Sequence, residues 1–378
     1  MKLALYVHDF RLEVGHSNSL IELIRHLPEE SLSKIEEIQV VSCRASPLEE
    51  LFPNYRGKLR WVKIPLERVR PSILKSVLFQ ISTILYNKIF QDKDTYRIGI
   101  GICSLDVNAI SIQFIHHQWT QKGLVLEKNY PIRKLYKKFL FLYYEICENY
   151  LFKKENQHLF SPANFLTNYL KKTYPNVNAT TIYSGVNLKR FEIKNTSKQE
   201  VRTGLAKNHP ILNDLILSEP IYLFVGAYER KGIYKALELL QSQPNTQLIV
   251  IGSPSLGINT NWPIGIKIFP ISFSFQLSEF YSLSDVFIFP TIYEPFGLVL
   301  FEAMAMGLSI ITNKQDVGAS ELLNGLPEVY FADEPEFKFP KISVKSYVDK
   351  NMLRNERLKI LCDVSWEKAS LELASIIL

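Results

Sequence analysis

Cysteine is scarce in this 378-residue sequence, which holds four, and no two of them lie close together. Their wide spacing excludes a disulfide-dense small fold and a Cys-x-x-Cys zinc module. Long apolar runs are also missing, since no stretch approaches the ~18 uninterrupted apolar residues that a membrane-spanning helix needs. The start, MKLALYVHDF, holds too short an apolar run for a signal peptide. We therefore expect a cytoplasmic protein with reduced thiols.

Composition and charge are those of an ordinary folded chain with two unequal halves. Hydrophobic residues make up 47% and charged residues 22% of the sequence, as in a globular protein. The length predicts about two or three domains with sizeable cores. Residues 1–195 hold 28 Lys and Arg against 18 Asp and Glu, whereas the remainder holds 16 against 20. The basic half is expected to face an anionic partner, or else to present a solvated basic surface.

Short apolar runs alternate with helical patterns, which predicts an α/β fold with parallel sheets. The first series of expected strands covers 3–8, 35–42, 58–64, 97–102, 109–115, 158–162 and 179–185. The second series covers 221–228, 246–252, 266–270, 285–290 and 308–312. Expected helices cover 19–27, 163–173, 234–241, 278–282 and 298–306. A polar connector at 192–219 separates the two series, so we expect two doubly wound domains with ligands outside the carboxyl ends of their strands.

The segment TIYEPFGLVLFEAMAMG, residues 291–307, is expected to form a strand-to-helix turn followed by a helix. Pro290 closes the preceding strand because it cannot donate to the ladder. Leu298 begins a run of strong helix formers, and Gly307 suits a left-handed position just after the helix.

This turn and helix start have the features of a phosphate site. The N–H groups of residues 297–299 would point outward, where unpaired donors and the helix dipole favour an anion. Glu294 in the turn and Glu302 in the helix could accept hydrogen bonds from hydroxyls on both sides of that anion. A nucleotide-sugar carries such groups, although two ordinary surface acids on a core helix would show the same spacing.

Residues 290–307 resemble the signature of the retaining GT-B glycosyltransferases of family 4, the glycosyl transferases group 1. That signature places Glu-x7-Glu within E-x-F-G-L-x-x-x-E-A-M-A-x-G, and here the two acids are Glu294 and Glu302. The other matching residues are Phe296, Gly297, Leu298, Ala303, Met304, Ala305 and Gly307. The resemblance implies that Glu294 contacts the transferred sugar, that Glu302 binds the ribose and that the amides of Phe296–Leu298 bind the phosphates. It also implies a GT-B fold, two Rossmann-like domains facing a central cleft.

Two further segments match the family in the same order. TIYSGVNLKRF, residues 181–191, resembles I-x-N-G-V-D-x-x-x-F with two departures. VGAYERKG, residues 225–232, resembles V-G-R-…-K-G, but Ala227 replaces the arginine. Arg230 and Lys231 remain, and two cations at a strand end suit the donor pyrophosphate. Which of the two is primary stays open, as does the alternative of a solvated turn.

The tail 363–378 resembles the closing F-S-W-E-x-x-A helix, which in that fold crosses back onto the first domain. The expected domains are therefore residues 1–195 with the helix at about 363–378, and residues 196–362. The resemblance implies that the first binds the acceptor and the second binds the nucleotide-sugar donor.

The N-terminal half matches the family more loosely. Gly15 follows the first expected strand and resembles the family's glycine loop near the donor phosphates, reduced to one glycine. FIHHQW, residues 114–119, resembles the family's strand-end histidine, and by register the match is His116, with His117 as its competitor. In the family's mechanism His116 would steady the sugar or its departing oxygen. A strand-end histidine can equally be structural.

The resemblance implies a retaining hexosyltransferase that moves a hexose from a UDP- or GDP-sugar to a glycan or lipid-linked acceptor. Cell-surface polysaccharide or lipopolysaccharide-type biosynthesis would be its setting. No Asp-x-Asp ends an expected strand, in agreement with GT-B enzymes that use protein cations, so neither a metal nor another cofactor is expected. A catalytically silent GT-B subunit that binds a sugar or a partner enzyme, and a GT-B nucleotide-sugar epimerase, are the alternatives. An NAD-dependent dehydrogenase is disfavoured because no G-x-G-x-x-G follows the first strand.

Two basic amphipathic stretches, 68–90 and 131–154, combine Lys and Arg with bulky apolar and aromatic side chains. Such helices can lie in the interface of an anionic membrane, or they can be core helices with basic outer faces. We expect peripheral contact with the inner face of the membrane, where a lipid-linked acceptor resides, and no nucleic-acid partner.

Overall fold

The computed structural model describes residues 1–125, 131–252, 262–272 and 276–378. The chain forms two compact units. Unit 1 comprises Met1–Gly185 and Ser365–Leu378, and unit 2 comprises Val186–Val364.

The strands of the described residues are short and lie in three sheets. They are β1 (Lys2–Tyr6), β2 (Asp9–Phe10), β3 (Glu37–Ser42), β4 (Arg44–Ala45), β5 (Lys58–Lys63), β6 (Thr95–Ile100), β7 (Ala109–Ser111), β8 (His158–Ser161), β9 (Asn178–Thr181), β10 (Ile221–Val225), β11 (Thr246–Ile251), β12 (Ile266–Ile271), β13 (Val286–Phe289), β14 (Ser309–Thr312) and β15 (Val329–Phe331).

The helices alternate with these strands. They are α1 (Gly15–Arg25), α2 (Glu29–Ser33), α3 (Leu48–Leu51), α4 (Ser72–Phe90), α5 (His116–Val125), α6 (Pro131–Phe152), α7 (Asn164–Thr173), α8 (Lys198–Ala206), a 3-10 turn (Pro210–Asp214), α9 (Ile233–Gln241), α10 (Leu277–Leu283), α11 (Leu298–Ala305), α12 (Ser320–Leu323), α13 (Tyr347–Glu356), α14 (Leu358–Asp363) and α15 (Trp366–Ile377).

Unit 1 is built on a seven-stranded sheet in the order β5-β3-β1-β6-β7-β8-β9, in which every pair is parallel. The central strands β1 and β3 are buried almost throughout, whereas the edge strand β5 exposes Lys and Arg, which protects an open edge from pairing with another chain. The C-terminal helix α15 belongs to this unit: the Ser370 hydroxyl donates to the Leu23 carbonyl at 2.7 Å.

Unit 2 is built on a six-stranded parallel sheet in the order β12-β11-β10-β13-β14-β15. All residues of β10, β11, β13 and β14 are buried. Near-continuous apolar strands are required when helices cover both faces of a sheet. The prediction of an α/β fold with two parallel sheets is therefore confirmed.

Several expected strands are shorter than predicted, most clearly two in unit 1. The strand at 109–115 ends at Ser111, and the strand at 179–185 ends at Thr181. Their neighbours explain this, because Ser111 pairs with Ile100, the last residue of β6, and Thr181 pairs with Ser161, the last residue of β8. A strand cannot continue in the ladder once its partner has ended.

Candidate functional site

Two loops at the carboxyl edge of the unit 2 sheet are bound closely together. The loop after β10 reaches Gly232, which has a φ of +81°, and a Cβ there would lie 1.9 Å from the Pro290 carbonyl oxygen. The N–H of Ile292 donates to the Arg230 carbonyl at 3.1 Å. Only glycine tolerates both this left-handed backbone and the close approach. The loops that follow β10 and β13 are therefore in direct backbone contact.

The second loop leads into α11 through a left-handed residue. Gly297, at the N-cap, has a φ of +100°, and Leu298 begins the helix. The turn is held by two hydrogen bonds from a neighbouring segment: Gly318 N–H donates to Glu294 O at 2.9 Å and Ala319 N–H to Phe296 O at 2.8 Å. The N–H of Leu300 donates to Gly297 O at 2.9 Å, whereas the helix ladder offers no acceptor to the N–H groups of Leu298 and Val299, so this end of α11 can receive an anion.

The other end of α11 confirms the predicted role of Gly307. Its φ is +68°, its N–H donates to Met304 O at 3.0 Å, and the N–H of Leu308 donates to Ala303 O at 3.1 Å. This is the Schellman arrangement, which satisfies the last carbonyls of a helix. The glycines at 297 and 307 therefore fix both ends of the helix that carries Glu302.

The structure brings Glu294, Lys231 and Arg230 together. The Lys231 ammonium contacts the Glu294 carboxylate directly, and Arg230 Nη1 lies 3.6 Å from Glu294 Oε2. Glu294 is 9% exposed, and the Lys231 ammonium also lies 5.0 Å from the centre of the Phe289 ring. Burial and the neighbouring Arg230 guanidinium lower the pKa of Lys231. The cluster holds two cations against one anion at a strand end, so it can accept further negative charge.

Glu302 has a partner that the sequence did not suggest. The Tyr281 hydroxyl, from α10, donates to Glu302 Oε2 at 3.0 Å, and burial raises the pKa of Glu302. The Tyr281 ring packs against Phe191 and Phe287, with centroids 5.8 and 5.7 Å away. The phenol thus orients the carboxylate and leaves it other acceptor positions. Tyr281 lies four residues before Asp285 in a helix between two strands and belongs to no motif, so it could not have been chosen from the sequence.

His116 and His117 occupy different environments at the start of α5 in unit 1. The His116 ring is 19% exposed, and its Nδ1 lies 2.7 Å from Glu148 Oε1. The His117 ring is 59% exposed, and its Nδ1 lies 3.6 Å from Glu145 Oε2. Only the first distance is that of a hydrogen bond. The His116 ring is therefore oriented by a hydrogen bond to the buried carboxylate of Glu148.

Gly15 is the first residue of α1 in unit 1. It is exposed, and a Cβ added there would have no heavy atom within 4 Å. Its surroundings therefore do not demand a glycine for packing. Gly15 and His116 lie in unit 1, and the other seven predicted site residues lie in unit 2.

The two basic stretches form neighbouring helices in unit 1. Tyr136 of α6 accepts a hydrogen bond from the N–H of Ile73 in α4, at 3.4 Å. A stripe along α6 is more than half exposed and consists of Ile132, Leu135, Phe139, Leu142, Ile146 and Tyr150. Exposed apolar residues of α4 are Leu74, Ile81, Leu85, Ile89 and Phe90. The residues that α4 buries are mostly polar: Ser76, Phe79, Gln80, Thr83 and Asn87. Both helices also bury part of their length, α6 with Phe141, Cys147, Leu151 and Phe152, and their outer faces are apolar as well as basic. We call these two stripes the apolar face.

No helix among the described residues is long and apolar enough to cross a membrane.

Residues 213–326 match the family model of glycosyl transferases group 1. This segment contains Arg230, Lys231, Glu294 and the helix α11. A 150-residue stretch is 28% identical to an uncharacterised glycosyltransferase of Methanocaldococcus jannaschii, covering 37% of this chain and 37% of that protein. The chain thus matches little more than a third of the length of that relative.

Solved structures match the whole chain. WaaG, a glycosyltransferase involved in lipopolysaccharide biosynthesis, has a TM-score of 0.65 at 15% identity, and the match covers 99% of this chain and 95% of the WaaG chain. Sucrose-phosphate synthase from Thermosynechococcus elongatus has a TM-score of 0.61 at 16% identity, and the match covers 100% of this chain and 94% of the synthase chain. The fold is GT-B. Anabaena HepE, solved in complex with UDP, has a TM-score of 0.60 at 11% identity, covering 99% of both chains.

Proposed function

We propose that the protein is a retaining glycosyltransferase of family 4 that transfers a hexose from a UDP- or GDP-sugar to a glycan or lipid-linked acceptor. The observation that carries the proposal is the cluster of Arg230, Lys231 and Glu294 beside the start of α11, within the segment that matches glycosyl transferases group 1. The complex of HepE with UDP and its likeness in fold to this chain add support for a nucleotide-sugar donor.

Each unit 2 residue then has a role in holding the donor. The amides of Phe296–Leu298 bind the diphosphate at the helix start. Arg230 and Lys231 supply positive charge to the same group, Arg as a fork and Lys as a point charge. Glu302 accepts hydrogen bonds from the ribose hydroxyls, and Glu294 contacts the transferred sugar.

Transfer breaks the bond between the anomeric carbon and the diphosphate oxygen, and the electron pair leaves with the nucleoside diphosphate. The acceptor hydroxyl oxygen forms the new bond on the same face of the sugar, and its proton passes to the departing phosphate oxygen. The leaving group gains negative charge, and pre-oriented cations and amides stabilise that charge. We propose that this chain needs no metal, because Arg230, Lys231 and the α11 amides provide the stabilisation.

In unit 1, we propose that Gly15 lies near the donor phosphates and that His116 contacts the sugar or its departing oxygen. The unprotonated nitrogen of a neutral imidazole accepts a hydrogen bond, and its N–H donates one. His116 thus orients reacting groups, and no covalent intermediate forms on it.

The apolar face of α4 and α6 suggests where the acceptor resides. Bulky apolar side chains flanked by Lys and Arg favour the interface of an anionic membrane, and a surface apolar patch of this kind marks an interaction site. We propose that this face rests on an anionic membrane and that the acceptor is lipid-linked, as in polysaccharide or lipopolysaccharide-type biosynthesis.

Thermal unfolding with UDP, GDP, ADP and their hexose conjugates tests the donor proposal. A ligand at about 100 times its Kd adds about 2.7 kcal/mol to the free energy of unfolding, so one nucleotide should raise the melting temperature clearly. Glu294→Gln should abolish release of the nucleoside diphosphate from the sugar conjugate that stabilises the protein, while the protein stays folded. Glu336→Gln, at an exposed acid, should leave that release unchanged. A nucleotide response without any turnover in the wild-type protein would favour the silent subunit instead.

Sedimentation with vesicles tests the membrane proposal. The protein should sediment with phosphatidylglycerol-containing liposomes at low salt, and the double variant Phe139→Ser, Leu142→Ser should bind at least about tenfold more weakly, because each buried side chain contributes roughly 1.5–3 kcal/mol. The matched control is Val348→Ser, Met352→Ser, two exposed apolar residues of α13. Equal losses in both double variants, or no sedimentation of the wild-type protein, would contradict the proposal.

A further inference from the structure

A carboxylate buried in unit 1 makes a set of contacts that core packing does not require. Glu148, on α6, has a side chain that is 2% exposed. Its Oε1 lies 2.7 Å from both the backbone nitrogen and the ring Nδ1 of His116, and its Oε2 accepts from the N–H of His117 at 3.2 Å. Burying a carboxylate is costly unless its acceptor positions are filled. All three donors that fill them come from the start of α5.

These contacts settle the chemistry of the His116 ring. A carboxylate accepts hydrogen bonds, so the ring must present its N–H at Nδ1. In the neutral ring Nε2 then carries the lone pair, and it is the nitrogen left to contact a ligand. The ring is also held from its sides, because Tyr144 and Phe114 have ring centroids 4.5 and 5.2 Å away.

We infer that Glu148 is a positioning residue that fixes the tautomer and the direction of His116 for glycosyl transfer. The inference rests on the role proposed above for His116. Glu148 has no part in holding the donor: it acts through the imidazole, and it anchors the helix start that carries the imidazole by accepting two backbone N–H groups. A negative charge at a helix N-terminus also interacts favourably with the helix dipole.

The neighbouring pair provides an internal control. Glu145 lies one helical turn before Glu148 on α6, and its carboxylate faces His117 at 3.6 Å and accepts the Thr120 hydroxyl. The distance to His117 exceeds that of a hydrogen bond, and the His117 ring is largely exposed. The two acids therefore differ in whether they hold a histidine ring.

Steady-state kinetics distinguish the roles of the two acids. They follow release of the nucleoside diphosphate from whichever UDP-, GDP- or ADP-sugar the protein turns over. Glu148→Gln should lower kcat at least about tenfold with little change in KM for the donor, whereas Glu145→Gln should leave both unchanged. Glu148→Asp, which keeps the charge but shortens the reach, should show the same loss as Glu148→Gln and covers the case in which the amide variant fails to fold. In the His116→Ala background, Glu148→Gln should lower kcat little further, because both changes remove the same function, that of the imidazole.

Nitrogen-15 NMR of the His116 ring gives a readout that needs no activity. The wild-type ring should be the Nδ1–H tautomer, and Glu148→Gln should give a mixture, since an amide can donate to the ring as well as accept from it. A wild-type Nε2–H tautomer, an unchanged kcat in Glu148→Gln, or losses that multiply in the double variant would each overturn the inference. If the wild-type protein turns over no nucleotide-sugar, the proposed function fails, and the tautomer still decides whether Glu148 positions the ring.

Discussion

At the scale of single residues, the candidate site depends on charged groups whose partners lie far away in the sequence. The acids Glu294 and Glu302 and the cations Arg230 and Lys231 could be chosen from the sequence because their spacing matches a known signature. Their pairing could not, because the contact of Lys231 with Glu294 and that of Tyr281 with Glu302 join separate strand ends and helices. Glu148 escaped prediction for the same reason: only tertiary packing brings it to the start of α5.

The raised pKa of Glu302 predicts a pH dependence of nucleotide binding. As pH falls through that raised pKa, the carboxylate becomes neutral and offers ribose hydroxyls a weaker acceptor. Affinity for the nucleoside diphosphate should therefore drop on mild acidification. Glu302→Gln should bind roughly tenfold more weakly at pH 8, equivalent to about 1.4 kcal/mol, and should show a flatter pH profile.

Isothermal titration of UDP, GDP and ADP between pH 5 and pH 8 measures both effects. Glu238→Gln, at an exposed acid of α9, serves as the control and should follow the wild-type profile. A Glu302→Gln protein that keeps the wild-type affinity and pH profile would remove Glu302 from the binding site.

His8, which follows β1, predicts acid sensitivity of unit 1. Burial, with the nearby charges of Lys75 and His16, lowers the pKa of His8 to about 4. Between the ordinary histidine pKa of about 6.5 and pH 4, the unfolded chain binds a proton that the folded state does not. The free energy of unfolding should therefore fall on acidification, by up to about 3 kcal/mol between pH 7 and pH 4.

Urea unfolding at several pH values tests this effect. His8→Gln should lose less stability between pH 7 and pH 4 than the wild-type protein, even if it is weaker at pH 7. His117→Gln, at an exposed ring, should retain the full pH dependence. Parallel profiles of His8→Gln and the wild-type protein would contradict the assignment.

At the scale of elements, apolar periodicity predicted most strands and the helix α11. The elements without an apolar pattern could not be predicted in this way. The strand β15 has three residues, and β2 and β4 have two each, too few for a pattern. Helix α13 buries Lys350 and Leu353 on its inner side. The Lys350 ammonium donates to the carbonyls of Tyr281, Ser282 and Ser284 at the end of α10. A helix whose buried face carries a lysine shows no amphipathic stripe, so sequence patterns could not reveal it.

The left-handed end of α11 predicts a strong requirement for glycine. A Cβ at Gly307 would lie 2.2 Å from the Lys350 carbonyl oxygen, in addition to the cost of a φ of +68°. We expect Gly307→Ala to lower the free energy of unfolding by at least about 2 kcal/mol. Gly325→Ala, at a φ of +80° with nothing within 4 Å of the added Cβ, should cost about 1 kcal/mol. Denaturant unfolding measures both, and equal losses would show that the contact with α13 is unimportant.

At the scale of the whole molecule, the order of strands and helices was enough to predict two doubly wound α/β domains, because covered parallel sheets impose apolar strands on the sequence. The GT-B fold itself was implied by the resemblance of residues 290–307 to family 4. The sequence marked both helices of the apolar face as candidates for membrane contact but left open whether their apolar residues face a core, since a stripe at helical spacing looks the same whether it faces a core or the solvent. The donor and acceptor roles of the two units, and the central cleft, stay predictions. The excess of Lys and Arg lies in residues 1–195, the half of the chain that we propose to rest on an anionic surface.

The central claim is that the cation-rich strand end of unit 2 binds a nucleoside diphosphate. Titrating UDP, GDP and ADP into the wild-type protein, Lys231→Ala and Lys235→Ala by calorimetry tests it most directly, because Lys235 is an exposed lysine four residues further on that pairs with Glu238. We expect that one nucleotide binds the wild-type protein and Lys235→Ala equally and binds Lys231→Ala at least about tenfold more weakly. Binding of none of the three nucleotides, or equal binding to all three proteins, would contradict it.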